Sequence, residues 1–186
     1  MKKLILILLT LFLVSCKPSP EVIQKAISQT QTAMPTPTKI PLSSIDLSSV
    51  IFKDGDLPAG YEPAQIRSEL GDFTRTIPTP DNSISQTLSN NGKIGGLVDI
   101  LLYEDSTKVQ SAFNQITPNM PGTAEYIDVG EQGQVSVNFM IMNTVSLSFT
   151  RCNAVVALQF LGTLNKDDAI SYATRLDKRL KDLTCK

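Results

Sequence analysis

Asn90-Asn91-Gly92 is the feature that most constrains this chain. Asparagine and glycine tolerate the positive φ that a tight two-residue turn demands, so the triplet between two apolar-patterned runs reads as a β-hairpin. On one side, Ile84, Gln86 and Leu88 alternate with Ser85, Thr87 and Ser89, which predicts a strand over Ser83 to Ser89. On the other, Ile94 to Tyr103 reads as the returning strand. Its centre, Leu97-Val98-Asp99-Ile100-Leu101-Leu102, is apolar on nearly both faces. Such a run predicts a central strand with helix cover on one side.

The remaining elements follow from the same periodicities. Tyr61 to Arg67 is a first strand candidate, and Pro78 and Pro80 make the stretch before the hairpin irregular. Asp105 or Ser106 caps a helix whose Val109, Ala112, Phe113 and Ile116 form one apolar stripe, and Pro118 is expected to end it. Glu125 to Val129 is a short strand. Gln134 to Met142 and Val145 to Thr150 alternate, and Ala154 to Leu161 is an apolar last strand after a tight turn near Arg151-Cys152-Asn153. Asn165 caps the final helix, with Asp167 and Asp168 at its positive end and Ala169, Ala173, Leu176, Leu180 and Leu183 as its buried stripe. Arg175, Lys178, Arg179 and Lys181, interrupted by Asp177 and Asp182, read as a solvated helix face rather than a membrane-facing one. Residues 45–186 therefore predict an α+β domain, one antiparallel sheet with two helices packed on one face. At its start Asp46 caps a short turn over Leu47 to Phe52. Asp54-Gly55-Asp56 reads as a solvated turn, because no further oxygen ligands continue a calcium loop.

Residues 16–44 have a different character. Pro18, Pro20, Pro35, Pro37 and Pro41 stand among Ser, Thr and Gln, the composition of an extended tether. Val22, Ile23, Ala26 and Ile27 have helical spacing in a helix too short to be stable alone. Met34 to Thr38 is threonine-rich and could carry glycans. Ahead of the tether, Lys2 and Lys3 precede an apolar run from Leu4 to Val14, broken only by Thr10. The run has the length of a signal-peptide core and is too short to span a bilayer.

Leu13-Val14-Ser15-Cys16, which closes that run, resembles the lipobox of bacterial lipoproteins. The resemblance implies that residues 1–15 are a signal peptide cleaved after Ser15. It also implies that the Cys16 thiol carries a diacylglyceryl group and that the new amino terminus is acylated, palmitate being an acyl chain of the expected type. The alternative is an ordinary cleaved signal with a chance cysteine. The lipoprotein reading implies a lipid-anchored domain outside the cytoplasm, on a cell membrane or outer membrane. Lys17 stands where many lipoproteins retained at an inner membrane have aspartate, which favours an outward-facing surface. In element order the domain resembles the exported α+β modules of bacterial sensor lipoproteins and of PsbP-type or kinase-sensor proteins.

Export agrees with cysteine usage. Three cysteines are present, and lipidation of Cys16 leaves Cys152 and Cys185, which in an oxidising compartment are most simply a disulfide. Closing a loop of that length stabilises by roughly 3–4 kcal/mol on the chain-entropy argument. A catalytic Cys152 is the alternative, but the chain has no histidine to take its proton, and Arg151 could only lower its pKa.

The same lack of histidine removes a Ser-His-Asp triad, the usual His-Cys zinc sites and an imidazole base. Gly92 to Gly96 lacks the spacing and following helix of a phosphate loop. The net charge of -1 becomes about -3 once Lys2 and Lys3 are removed, so there is no basic footprint for nucleic acid. Asp99 and Glu104 could pair near a strand end, but two acids default to surface placement. With no Trp and four dispersed Tyr, there is no sign of a sugar-stacking platform. No catalytic, cofactor or metal residues are assigned. The expected function is a non-enzymatic binding module, holding a small ligand, an envelope component or a partner protein at the membrane surface. The alternative is an envelope hydrolase using carboxylates or a Ser-Lys pair. A structural accessory subunit would instead show an exposed apolar patch.

Overall fold

The computed structural model describes residues 19–21, 24–25, 41–67, 70, 74, 77–138 and 143–185. The signal segment, Cys16, the threonine-rich stretch and Val22, Ile23, Ala26 and Ile27 of the expected tether helix lie outside the described residues, while Pro20, Glu21, Gln24 and Lys25 are helical. The chain divides into two units, Met1–Lys39 and Ile40–Lys186, and the sheet belongs to the second. No helix among the described residues is long and apolar enough to cross a membrane.

The Asn91-Gly92 turn forms with both residues at positive φ, 50° and 74°. It joins β2 (Asn82–Asn90) to β3 (Lys93–Leu102), paired from Asn90↔Lys93 to Asn82↔Leu102. β1 (Tyr61–Arg67) lies outside β2 as an edge strand, where Pro63 at an irregularity in the pairing removes no essential ladder bond. Asp105 accepts from Thr107 N and starts α1 (Ser106–Asn119). That helix runs through Pro118 to Asn119 rather than stopping before the proline. In the last turn, the missing N–H forfeits only one helical bond. The chain then forms β4 (Ala124–Ile127), β5 (Gln132–Asn138), β6 (Thr144–Arg151) and β7 (Ala154–Leu161) as one meander, and ends in α2 (Lys166–Thr184) capped by Asn165. Met140 and Ile141, expected within the longer fifth strand, lie outside the described residues.

All strands belong to one open, antiparallel seven-stranded sheet in the order β1-β2-β3-β7-β6-β5-β4. Two meanders thus meet where β3 pairs with β7. The α+β class and the single antiparallel sheet are as expected, but the helices do not share a face. Ala169, Ala173, Leu176 and Leu180 of α2 pack with Val98, Ile100, Leu147, Val156 and Leu158. Val109, Ala112, Phe113 and Ile116 of α1 pack with Leu101, Val155 and Ala157. Successive strand residues point to opposite faces, so adjacent positions of β3 and β7 serve different helices.

The α2 face also takes in the start of the domain. Leu42, Leu47, Val50, Ile51 and Phe52 are buried there, so packing begins ahead of Ile45. Asn82 Nδ2 donates to Leu42 O and Ile45 O at 2.9 and 2.8 Å, and Gln86 bonds both Phe52 N and Phe52 O. Phe52, Phe160 and Tyr172 form a tilted aromatic cluster with centroids 6.1–6.4 Å apart.

Candidate functional site

The two sheet faces differ in chemistry. The α2 side of β6 presents Val145, Leu147 and Phe149, whereas the α1 side presents Thr144, Ser146, Ser148 and Thr150, all buried. Strand pairing carries this polarity across the sheet in one continuous row: Tyr126, Gln134, Ser148, Ala157, Asp99, Ser85 and Arg67. Asp99 is fully buried in the row, and its Oδ2 accepts from the Thr74 hydroxyl. The hydroxyls of Ser85, Ser146 and Ser148 and the Oε1 of Gln134 are sheltered from solvent and have no hydrogen-bond partner among the described residues. Each such group loses its hydration without replacement, an unfavourable exchange of about 1–3 kcal/mol.

At the β4 end, the row opens into a groove of about 460 Å³ between Phe113-Asn114 on α1 and the β4–β5 hairpin. Tyr126 stands at its edge, 87% exposed, opposite Gln134 in register. Gln110 and Gln132 bridge helix and hairpin through two reciprocal amide bonds of 3.1 Å, and Gln110 also donates to Asn114 Oδ1 at 2.9 Å. Asp128 and Glu131 are the charged residues lining the groove, and no Lys or Arg among the described residues lines it. Gly130 makes that wall possible: its φ is 74°, and a Cβ there would collide with the Thr150 carbonyl. The close approach lets Glu131 N donate to Thr150 O at 2.8 Å, while the Glu131 carboxylate accepts from Cys152 N at 3.1 Å.

Two shallower recesses lie at the other end of the strands. One, of about 420 Å³, is bounded by Val137, Val145 and Leu164 and flanked by the Lys166–Glu125 ion pair at 2.9 Å. The other, of about 320 Å³, lies by Lys93, Ile94 and Gly162.

The residues singled out in the sequence fall as follows. Cys16 lies outside the described residues. Cys152 and Cys185 form the expected disulfide, with Cα atoms 5.6 Å apart. Cys152 occupies the β6–β7 corner at φ 50°, so the bond ties the end of α2 to that hairpin. Beside it Arg151 grips Asp177 of α2 through two bonds of 2.6 Å, and the Arg151 pKa is raised first by that hydrogen bonding. Asp99 and Glu104 do not converge. Asp99 is not at the surface as expected but fully buried, its carboxylate held by the Thr74 hydroxyl, whereas Glu104 is exposed beyond the strand end, five residues or about 17 Å further along an extended chain. Lys166 is held protonated by its hydrogen bond to Glu125 and by that residue's charge, the opposite of what a lysine base needs. Asp56 is occupied by Arg179 at 2.7 and 2.8 Å, and no cluster able to hold a metal ion occurs among the described residues.

Sequence reasoning passed over Tyr126 and the amides around it. The available signal was the polar alternation Gln132, Gln134, Ser136 along β5, which becomes a site only when the register sets Tyr126 against Gln134. Comparison with protein-family models, with curated proteins and with solved structures finds no match for this chain.

Proposed function

We propose that this protein is a lipid-anchored extracytoplasmic lipoprotein whose domain is a binding module, with no catalytic role, and that the groove between α1 and the β4–β5 hairpin is its binding surface. The observation that carries this reading is Tyr126, 87% exposed at the mouth of a groove lined by amides and backed by a buried polar row. A large ring left in water beside paired donors and acceptors is the usual composition of a recognition surface. The signal segment, the lipobox and the paired Cys152 and Cys185 agree with an oxidising, extracytoplasmic location. The hydrolase alternative draws no support from Asp99 and Glu104, which stand too far apart to act on one bond, nor from the ion-paired Lys166.

The anchor is tested by intact mass of the protein isolated from membranes, before and after reduction. The expected species starts at Cys16, carries a diacylglyceryl group and gains two hydrogens on reduction. An unmodified chain recovered from the soluble fraction would remove the anchor. The groove is tested by placing a photo-reactive residue at Gln132 in the membrane-bound chain. A light-dependent adduct that disappears with Tyr126→Ala is the expected result, and no adduct would remove the groove as the binding surface.

A further inference from the structure

Resting on that reading of the groove, we propose that its ligand is a neutral saccharide. Tyr126 projects from an edge strand on the same side of the sheet as Gln134 and Ser148, so its ring belongs to the polar row and to no apolar cluster. An aromatic ring so exposed gains by covering a flat apolar surface of matching size, and the C–H face of a sugar ring is such a surface. The rim of that ring carries hydroxyls, each both donor and acceptor. A carboxamide offers both functions side by side, which suits it to hydroxyl groups better than a charged group that offers only one.

The groove supplies carboxamides with capacity left over. Gln132 spends one amide hydrogen on Gln110, and Asn114 accepts from Gln110 and donates to no other described residue. Gln134 Oε1, sheltered in the polar row beside Tyr126, has no partner among the described residues. The reciprocal Gln110–Gln132 bond fixes the spacing between helix and hairpin, so these groups are arranged before anything binds.

Charge narrows the class. Asp128 and Glu131 line the groove and no Lys or Arg among the described residues does; Glu131 is engaged by Cys152 N and lies in the field of Arg151, so Asp128 is the acid that would repel a phosphate or an acidic polymer. Toward a neutral sugar the exposed Asp128 carboxylate acts as a strong acceptor. The volume of about 460 Å³ lies within the usual range of small-ligand sites.

The full mature chain in detergent micelles is titrated with maltotetraose, with the N-acetylglucosamine tetramer and with spermidine, each followed by saturation-transfer NMR. It is also co-sedimented with insoluble cell-wall glycan. Saturation reaching the ring C–H protons of a tetrasaccharide is the expected result. Tyr126→Ala should weaken binding about tenfold or more, Tyr126→Phe should stay within about threefold, and Asn114→Ala should cost about fivefold. Binding to the tetrasaccharide identifies a short free sugar as sufficient. Co-sedimentation that depends on Tyr126 without tetrasaccharide binding identifies a polymeric glycan, and the proposal stands in either case. Tyr126-dependent binding of spermidine alone overturns it, as does saccharide binding unaffected by Tyr126→Ala. If no probe binds, the saccharide proposal falls. The Gln132 photo-adduct then decides whether the groove holds another class of ligand or none.

Discussion

Arg179 shows how much one side chain on a charged helix face can hold. Its guanidinium donates to Val50 O and Ile51 O at 3.2 and 2.9 Å and to both carboxylate oxygens of Asp56. It thereby fixes the buried segment from Leu47 to Phe52 against α2. Arg179→Ala leaves the Val50 and Ile51 carbonyls without that donor and the Asp56 carboxylate with only the Lys53 N–H, and is expected to destabilise by about 2–4 kcal/mol. Arg179→Lys should recover less than half of that loss in a urea titration, because an ammonium cannot reproduce the fork. Asp56 adds a pH signature. Burial raises its pKa, but the Arg179 hydrogen bond, the Lys53 N–H and the charges of Arg179 and Arg175 outweigh it, so the carboxyl lies below its ordinary range. A folded-state pKa below the unfolded one means that the unfolded chain binds more protons in acid. The stabilisation is therefore complete above the unfolded value of about 3.9 and fades as pH falls through the lower folded value. The gap in urea midpoint between the native chain and Asp56→Asn should be constant from about pH 7 to pH 5 and shrink below about pH 4. A gap unchanged down to about pH 2 would mean that the ion pair contributes nothing.

Among the elements, α1 and α2 rest on unlike surfaces. The α2 stripe meets Val, Leu and Phe, whereas α1 lays Val109, Phe113 and Ile116 over strands that carry Ser146, Ser148 and Thr150. Ser148 is fully buried and its hydroxyl has no partner among the described residues. Replacing it with alanine removes an uncompensated polar group at almost constant volume, so Ser148→Ala should raise stability by about 1 kcal/mol in thermal or urea unfolding. A loss of that size would show that the hydroxyl is satisfied in solution. The same polar strand explains what could be read in advance. The strands, caps and helix stripes were legible because each is a local pattern. Ser146, Ser148 and Thr150 alternate with Val145, Leu147 and Phe149, and such alternation reads as one wet face. Such a face reads as solvated and gives no sign that a helix covers it. Small hydroxyls beneath a helix break the rule without leaving a local mark. Arg179 and Asp56, 123 residues apart, and the Tyr126–Gln134 pairing were hidden for a related reason, since each is created by register and packing.

At the scale of the molecule, the decisive contact is the seam between β3 and β7. The last strand of the chain is the fourth in the sheet, so the two meanders are not joined until β7 pairs with β3. Such a seam joins residues about sixty positions apart and must gather non-local contacts before they stabilise one another. The β6–β7 corner and the end of α2 carry the bonds that hold this late-arriving part. These are the Cys152–Cys185 disulfide across 33 residues and the two Arg151–Asp177 hydrogen bonds. The two devices act differently. The disulfide restricts the unfolded chain, while the ion pair acts only when helix and corner are already together. Replacing both cysteines by alanine should therefore leave the fold intact, as judged by far-UV circular dichroism. It should lower the urea midpoint by the equivalent of roughly 3–4 kcal/mol. Adding Asp177→Asn to that pair should cost more than Asp177→Asn alone, because the helix end then has neither tie. Hydrogen exchange should place the extra opening in the last turns of α2, with the β3–β7 seam still among the slowest amides. An unchanged midpoint in the chain lacking Cys152 and Cys185 would show that Arg151 and Asp177 suffice to hold the corner, and that the disulfide adds nothing to the stability of the sheet.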